Sequence, residues 1–252
     1  MALKDEFKEW ACSLQGCDGG NPSADIWLCG IEWGGAGDTE ESWKKYYNVE
    51  LPAQFKEKKP ALKAKYPWEE SFKERSSYGR SAGKIIASYY GQSVENYYDF
   101  LCAKQLELFK LNLYPIAFGD ASQEFWDKYG LSEKLGFDDK YSYQLWCMYN
   151  RFPALRAKAQ EHNPTVIIGT GISYCTDFFK CFAPDNFSGI PKKGIIHVNG
   201  DERTYRYAHI DLNSCRKTLL IVIPFFSGRY GLNSNALLEE MGKRIKAHSE
   251  EF

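Results

Sequence analysis

The sequence predicts an α/β protein, folded as a three-layer α/β/α sandwich around a central four-stranded parallel sheet. Four short apolar runs rich in β-branched residues lie at residues 26–30, 108–113, 165–169 and 218–223. Segments long enough for helical crossovers separate these runs, so the elements follow the order β-α-β-α-β-α-β. Strands that alternate with helices in this way are typical of a parallel sheet with helices on both faces.

Helical patterns account for the connections between the predicted strands. They occupy residues 83–90, 142–162 and 174–181, and two further helices are predicted at residues 4–14 and 234–247. The last of these begins at a run of Asn and Ser residues, whose side chains suit the capping of a helix start.

Two segments are predicted to be insertions into this frame, within one domain that spans residues 1–252. Residues 38–77 are polar, rich in Lys and Glu and marked by three prolines, which indicates a helical insertion over the exit of the first strand. Residues 194–210 alternate apolar and polar side chains around Asn199-Gly200, a strong signal for a tight turn. We expect a β-hairpin there, beside the last core strand.

Composition and charge limit the classes of function. The net charge is −1, so the chain lacks the global basic field that dominates non-specific binding to nucleic acid. Local basic stretches occur at residues 56–65 and at Arg203, Arg206, Arg216 and Lys217. Such charges more commonly belong to a solvated surface than to a nucleic-acid site. Aromatic residues make up 16% of the chain, which indicates either stacking surfaces or large packed contacts.

No targeting or membrane segment is predicted. The first residues are charged and amphipathic, and no run approaches the roughly 20 apolar residues of a membrane span. We therefore expect a cytoplasmic protein with no membrane partner.

The eight cysteines are scattered, and several lie in apolar runs, which indicates buried, reduced thiols. Cys12 and Cys17 have a spacing that could hold a metal ion, but no second close pair completes a zinc set. Cys175 and Cys181 lie on a predicted helix at a poor spacing for ligands. No metal site is predicted.

The loops after the strands are the candidate site, because ligands of open parallel sheets bind beyond the carboxyl ends of the strands. After the first strand, Glu32 lies among glycines, where it could activate water or merely complete a tight turn. After the second strand, Asn112 offers an amide that both donates and accepts hydrogen bonds. It could contact the edge of a base or satisfy neighbouring backbone groups.

The last two loops are also candidates for ligand contact. The third, Gly169-Thr170-Gly171, could bind phosphate or serve close packing. The fourth has two aromatic residues, Phe225 and Phe226, that could contact a ligand or fold back over the core. Ser227, Gly228 and Arg229 follow them and suit contact with phosphate.

Taken in order, these motifs resemble those of the uracil-DNA glycosylase superfamily, over most of the chain. Gly30-Ile31-Glu32-Trp33-Gly34 resembles the family's first motif, Gly-Ile-Asn-Pro-Gly in mismatch-specific members and Gly-Glu-x-Pro-Gly in iron-sulfur members. Pro224-Phe225-Phe226-Ser227-Gly228-Arg229-Tyr230 resembles the mismatch-specific Pro-Asn-Pro-Ser-Gly-Leu-Asn loop. Between them, residues 78–84 are similar to a Gly-Arg-x-Gly helix start, Leu111-Asn112 to the strand that bears the base-contacting Asn, and residues 164–169 to the third strand.

The sequence also departs from the family pattern. Trp33 replaces the usual proline, and the fourth loop has no histidine. Cys12, Cys17 and Cys147 loosely resemble three cluster ligands of the iron-sulfur branch, but the cysteine expected soon after Asn112 is absent. We therefore expect no iron-sulfur cluster and no other cofactor.

The resemblance implies a monomeric enzyme that removes uracil or a related damaged base from DNA, its partner. Asn112 would grip the flipped base, Tyr78 or Trp33 would stack on it, and Glu32 would activate water at the N-glycosidic bond. Substrate contacts would come from Gly30, Ile31, Gly34, Ser227 and Gly228. DNA contacts would come from Phe225, Phe226, Arg229 and Tyr230.

Two alternatives stay open at this point. The chain could be a glycosylase-fold protein without catalysis that binds nucleic acid or a protein partner. It could also hydrolyse a free nucleoside or nucleotide, because binding such a small ligand depends less than binding DNA on a positive net charge. Basic loops on the rim of the site would favour the DNA enzyme, and an acidic or blocked rim would favour the alternatives.

Overall fold

The fold is described from a computed structural model, which covers residues 5–33, 37, 39–56, 77–104, 106–120, 122–213 and 216–251. The described residues form an α/β structure around one mixed sheet, so the predicted α/β class is confirmed. In chain order the strands are β1 (Gly19–Gly20), β2 (Ile26–Gly30), β3 (Phe109–Asn112), β4 (Val166–Thr170), β5 (Lys192–Val198), β6 (Asp201–Ile210) and β7 (Thr218–Ile223).

The strands lie side by side in the order β1-β3-β2-β4-β7-β6-β5. The four central strands are parallel to one another, because β2 pairs in parallel with both β3 and β4, and β4 pairs in parallel with β7. The outer strands β1, β6 and β5 add antiparallel pairs. The described sheet is therefore larger than the predicted one, with seven strands of mixed direction instead of four parallel strands.

Helices cover both faces of the sheet. The α-helices, in chain order, are α1 (Asp5–Ala11), α2 (Glu40–Lys45), α3 (Leu51–Lys56), α4 (Ser77–Tyr89), α5 (Tyr97–Lys104), α6 (Gln123–Lys128), α7 (Leu131–Leu135), α8 (Lys140–Trp146), α9 (Phe152–His162), α10 (Cys175–Phe182) and α11 (Asn235–Ser249). A π-helical turn, Cys147–Arg151, joins α8 to α9, so the predicted single helix over residues 142–162 is interrupted. Another π-helical turn, Tyr46–Glu50, joins α2 to α3.

Successive side chains of each strand point to opposite faces of the sheet, so the sheet separates two hydrophobic cores. In β2, Trp27 and Cys29 point into the core under α1 and α8–α10, whereas Ile26 and Leu28 point into the core under α4, α5 and α11. All five residues of β2 are buried, as expected for a central strand covered on both faces. Burial of each large apolar side chain contributes about 1.5–3 kcal/mol, so both layers of helices hold the sheet.

The helical segment over residues 38–77 is described only in part. Helices α2 and α3 lie in its first half, as expected, and residues 57–76 are outside the described part of the chain. Trp43 of α2 and Leu51 of α3 are buried in the same core as Trp27.

The predicted hairpin is present at β5 and β6. Asn199 and Gly200 both have positive φ, 52° and 84°, which is the backbone geometry of a two-residue hairpin turn. Strand β6 pairs with β7, from Arg206 opposite Val222 to Ile210 opposite Thr218, so the hairpin extends the sheet beyond the last parallel strand.

The ends of the chain agree in outline with the predicted helices. Ser234 accepts a hydrogen bond from the backbone N–H of Leu237 and so caps α11.

Helices α5, α6 and α7 were not predicted from the sequence. No helix in the described residues is long and apolar enough to cross a membrane.

Candidate functional site

Asn112, the last residue of β3, is the centre of a polar cluster at the carboxyl end of the parallel strands. Its side chain is buried, and its Nδ2 donates a hydrogen bond to Oδ2 of Asp18 at 3.0 Å. The same carboxylate lies 3.6 Å from Nζ of Lys110, which precedes Asn112 by two residues on the same face of β3. We call Asp18, Lys110 and Asn112 the amide cluster.

Gly30 lies opposite Asn112 in the parallel register of β2 and β3. A Cβ atom at Gly30 would lie 2.2 Å from Oδ1 of Asn112 and 3.7 Å from the hydroxyl of Tyr78. The absence of a side chain at Gly30 therefore makes room for the Asn112 amide. The same geometry shows that the amide oxygen faces the side of the sheet on which Tyr78 lies.

An aromatic wall stands beside the amide cluster and consists of Tyr78, Phe225 and Phe226. The Tyr78 ring lies 4.9 Å from Phe226 and 6.0 Å from Phe225, centroid to centroid. Its hydroxyl shares a hydrogen bond of 3.0 Å with Oγ1 of Thr170 at the end of β4, which holds the ring over the strand ends. Nζ of Lys110 lies 5.2 Å from the ring centroid, within the range of a cation–π contact.

Arg151 holds the amide cluster from the opposite face of the sheet. Its side chain is fully buried and donates to four backbone carbonyls, those of Asn112 (2.8 Å), Leu113 (2.9 Å), Gly16 (3.0 Å) and Ala11. One guanidinium thus ties the end of β3 to the segment that leads into Asp18. Five fixed donors suit arginine, and not lysine, to this position.

Glu32, the predicted water-activating residue, has a different set of neighbours. Both of its carboxylate oxygens contact Nζ of Lys140, at 3.2 and 3.1 Å, and the lysine lies 4.4 Å from the ring centroid of Phe118. Burial raises the pKa of the Glu32 carboxyl above its ordinary value, and the charge and hydrogen bond of Lys140 oppose this rise. The result is a partly buried carboxylate that is a stronger base than an exposed one.

The neighbours of Glu32 in the first loop pack into the core. Ile31 and Trp33 lie against the core under α8–α10, and the backbone N–H of Tyr114 donates to the Ile31 carbonyl at 2.8 Å. Gly34, predicted to contact substrate, lies outside the described residues. Of the two residues proposed to stack on a base, Tyr78 lies beside Asn112, and Trp33 packs with the opposite core.

The fourth loop folds back on itself and rests on a buried arginine. Nε of Arg203 donates to the carbonyl of Gly231 at 2.8 Å, and its Nη2 donates to that of Arg229 at 3.2 Å. Arg203, grouped with surface charges in the sequence, is only 7% exposed. That grouping was wrong for this residue, because the side chain is buried and donates to two carbonyls of a loop 26 and 28 residues away.

The tip of the fourth loop is exposed to solvent. Ser227, Gly228, Arg229 and Tyr230 are exposed, with the Arg229 guanidinium 5.6 Å from the Tyr230 ring centroid. Phe225 is 43% exposed and Phe226 only 7%, so the two aromatic residues differ: one is partly free to meet a ligand, and the other supports Tyr78. Because Glu32, Asn112 and Ser227 all follow strand ends, the sequence also predicts that they line a single pocket, and this stays a prediction.

No protein-family model matches the sequence, and no curated protein is similar to it.

Several residues of the site were not found by sequence reasoning. Asp18, Lys110, Lys140 and Arg151 all lie outside the strand-exit loops or inside helical patterns, where charged residues are normally solvated. One signal was available for Asp18, because the two glycines after it indicate a special backbone. Gly19 and Gly20 have φ of 122° and 99°, and they pair with β3 in the short strand β1.

The three cysteines that loosely resemble cluster ligands, Cys12, Cys17 and Cys147, lie near Arg151. Its Nη2 lies 4.0 Å from Sγ of Cys17, and its charge lowers the pKa of Cys12 and Cys147, although burial raises both more strongly. Burial brings the pKa of Cys147 to about 12. In the described residues no group of three or more His, Cys, Asp or Glu side chains could hold a metal ion. The guanidinium hydrogen-bonds to the carbonyls of Ala11 and Gly16, the residues that precede Cys12 and Cys17.

Proposed function

We propose that the protein is a DNA glycosylase that hydrolyses the N-glycosidic bond of uracil or a related damaged base. The observation that carries this proposal is the position of Asn112. A buried amide lies at the carboxyl end of a central parallel strand, next to an aromatic wall on which a flat ring can stack.

The fold supports the same proposal. The resemblance to the uracil-DNA glycosylase superfamily implies four parallel strands flanked by helices, and β3, β2, β4 and β7 are parallel neighbours in the sheet. Fold alone does not determine function, so the amide cluster and the aromatic wall carry more weight.

Glu32 would act as the general base toward water in this mechanism. Burial raises the pKa of Glu32 and so makes it a stronger base toward water, and the charge of the adjacent Lys140 opposes this rise. A carboxylate also stabilises the positive charge that develops on the sugar as the bond to the base breaks.

Local positive charge near the aromatic wall supports DNA as the substrate. Arg80, two residues after Tyr78 on α4, and Arg229 in the fourth loop are exposed, and Lys110 lies beneath the Tyr78 ring. Such side chains can neutralise phosphates locally although the net charge is −1.

The test is cleavage of oligonucleotides that contain uracil, hypoxanthine or a mismatch, with the abasic product detected on a gel. The wild type should release uracil. Glu32→Gln should lower turnover by roughly 10²- to 10⁴-fold with little change in oligonucleotide binding, because it keeps the shape but removes the charge. Glu107→Gln removes an exposed carboxylate beside β3 and should leave turnover unchanged. Equal turnover of wild type and Glu32→Gln would contradict the role of Glu32.

A binding protein without catalysis is the second candidate, and the Glu32–Lys140 contact favours it. Because one lysine engages both carboxylate oxygens, Glu32 has less capacity to bind water. This candidate predicts that the wild type binds DNA but cleaves none of the three substrates.

A further inference from the structure

The hydrogen bond between Asn112 and Asp18 fixes the direction of the Asn112 amide. A carboxylate can only accept hydrogen bonds, so the group that faces Asp18 must be the NH₂ group of the amide. The carbonyl oxygen then points the other way, toward Gly30 and the hydroxyl of Tyr78. Asn112 therefore presents an acceptor, and not a donor, on the side of the aromatic wall.

Asp18 is held in place by one ion pair and by the anchoring of the segment that precedes it. Its side chain is 14% exposed and forms an ion pair with Lys110. On the opposite face of the sheet, Arg151 donates to the carbonyls of Gly16 and Asn112 and so sets the separation of the two segments. Lysine and arginine side chains only donate hydrogen bonds, so neither Lys110 nor Arg151 can replace Asp18 as the acceptor for the amide NH₂ group.

We infer that Asp18 is a positioning residue that determines which bases the site accepts, an inference that rests on the proposed role of Asn112 in base binding. With its oxygen turned toward the ligand, Asn112 selects a ring that offers an N–H group, as the imide of uracil does. Cytosine has a bare ring nitrogen at that position, so two acceptors would face each other. A site built on one hydrogen-bond direction discriminates strongly against the reversed pattern.

Substitution of Asp18 by Asn tests this inference with little change of shape. The new amide can accept from or donate to Asn112, so the Asn112 amide is free to turn, and it can then match cytosine as well. Asp25→Asn is the matched control, because Asp25 is an exposed carboxylate just before β2, at the amino end of the strands. Asp18→Ser provides a second variant that also removes the carboxylate, for use if Asp18→Asn does not fold.

Two measurements report the result. The first is binding of free uracil and free cytosine to each protein, followed by NMR. The wild type and Asp25→Asn should prefer uracil, and Asp18→Asn should reduce the preference by about tenfold or more. The second is the position of the Asn112 side-chain N–H resonances, identified by their loss in Asn112→Ala. These resonances should shift between the wild type and Asp18→Asn, because the charged acceptor of the amide is lost, and they should keep their positions in Asp25→Asn.

The outcomes separate this inference from the proposed function. If the wild type cleaves uracil-containing DNA but Asp18→Asn keeps the full preference for uracil, Asp18 does not determine specificity and the glycosylase proposal stands. If the wild type cleaves no DNA but prefers free uracil, and Asp18→Asn has lost that preference, the positioning role stands and the glycosylase proposal fails. A wild type that does not distinguish uracil from cytosine overturns the inference.

Discussion

The contact between Gly30 and Asn112 leads to a prediction whose size follows from the structure. In Gly30→Ala the new Cβ would lie 2.2 Å from Oδ1 of Asn112, so the amide must move by about 1.2 Å to reach the 3.4 Å at which ordinary contacts begin. Both residues belong to paired strands in the centre of the sheet, and this limits relaxation. We expect Gly30→Ala to lower the free energy of unfolding by about 1–3 kcal/mol, the usual cost of an overpacked core.

A double-mutant cycle isolates this contact. In the background of Asn112→Ala the clashing oxygen is gone, and the nearest atom to the new Cβ outside the Asn112 side chain is the Tyr78 hydroxyl at 3.7 Å. There, Gly30→Ala should be neutral or slightly stabilising, since glycine in a strand is unfavourable by roughly 0.5–1 kcal/mol. The four proteins are compared by urea denaturation followed by tryptophan fluorescence. An equal cost of Gly30→Ala in both backgrounds would refute the reasoning.

Four further predictions concern other parts of the molecule. Burial raises the pKa of Glu32, so the folded state binds the proton of this carboxyl more tightly than the unfolded state does. The free energy of unfolding should therefore fall as pH rises from the unfolded-state pKa through the folded-state pKa. Urea denaturation at a series of pH values should show this fall in the wild type, and Glu32→Gln should remove it. Arg151→Met should lower the free energy of unfolding by about 3 kcal/mol or more, because several buried carbonyls lose their donor. A decrease below about 1 kcal/mol would show that Arg151 does not hold these segments together. Gly200→Ala places a side chain at φ 84° in the hairpin turn and should lower the free energy of unfolding by about 1–2 kcal/mol, measured in the same way. The purified protein should show no visible-range absorbance from an iron-sulfur cluster, and a brown preparation would disprove this prediction.

The strands and most of their connections could be predicted because they depend on local patterns. Short β-branched runs that alternate with helical segments indicate an α/β fold, and Asn199-Gly200 indicates a hairpin turn whatever lies around it. Strand β1 was not predicted, because a two-residue strand such as Gly19–Gly20 has no periodicity. The hairpin β5–β6 was predicted beside the last core strand, but its hydrogen-bonded pairing with β7 depends on tertiary structure and was not counted in the sheet.

The position of Asn112 at a strand end followed from the sequence, but its partners did not. Asp18 and Arg151 are 94 and 39 residues away from it along the chain, and a charged residue in a polar or helical segment is normally solvated. Burial became acceptable for Arg151 only because folding brought backbone carbonyls from separate segments around one guanidinium.

The sequence by itself determined the class of fold, the strand ends and the identity of the amide at the end of β3. The tertiary structure alone decided which way that amide points, because direction depends on the carboxylate that meets it from a distant segment. It also decided that Glu32 is joined to Lys140, 108 residues away, and that Tyr78 stands beside Phe226. Local preferences act over a few residues, whereas hydrogen-bond direction, burial and charge pairing depend on neighbours that only the folded chain brings together.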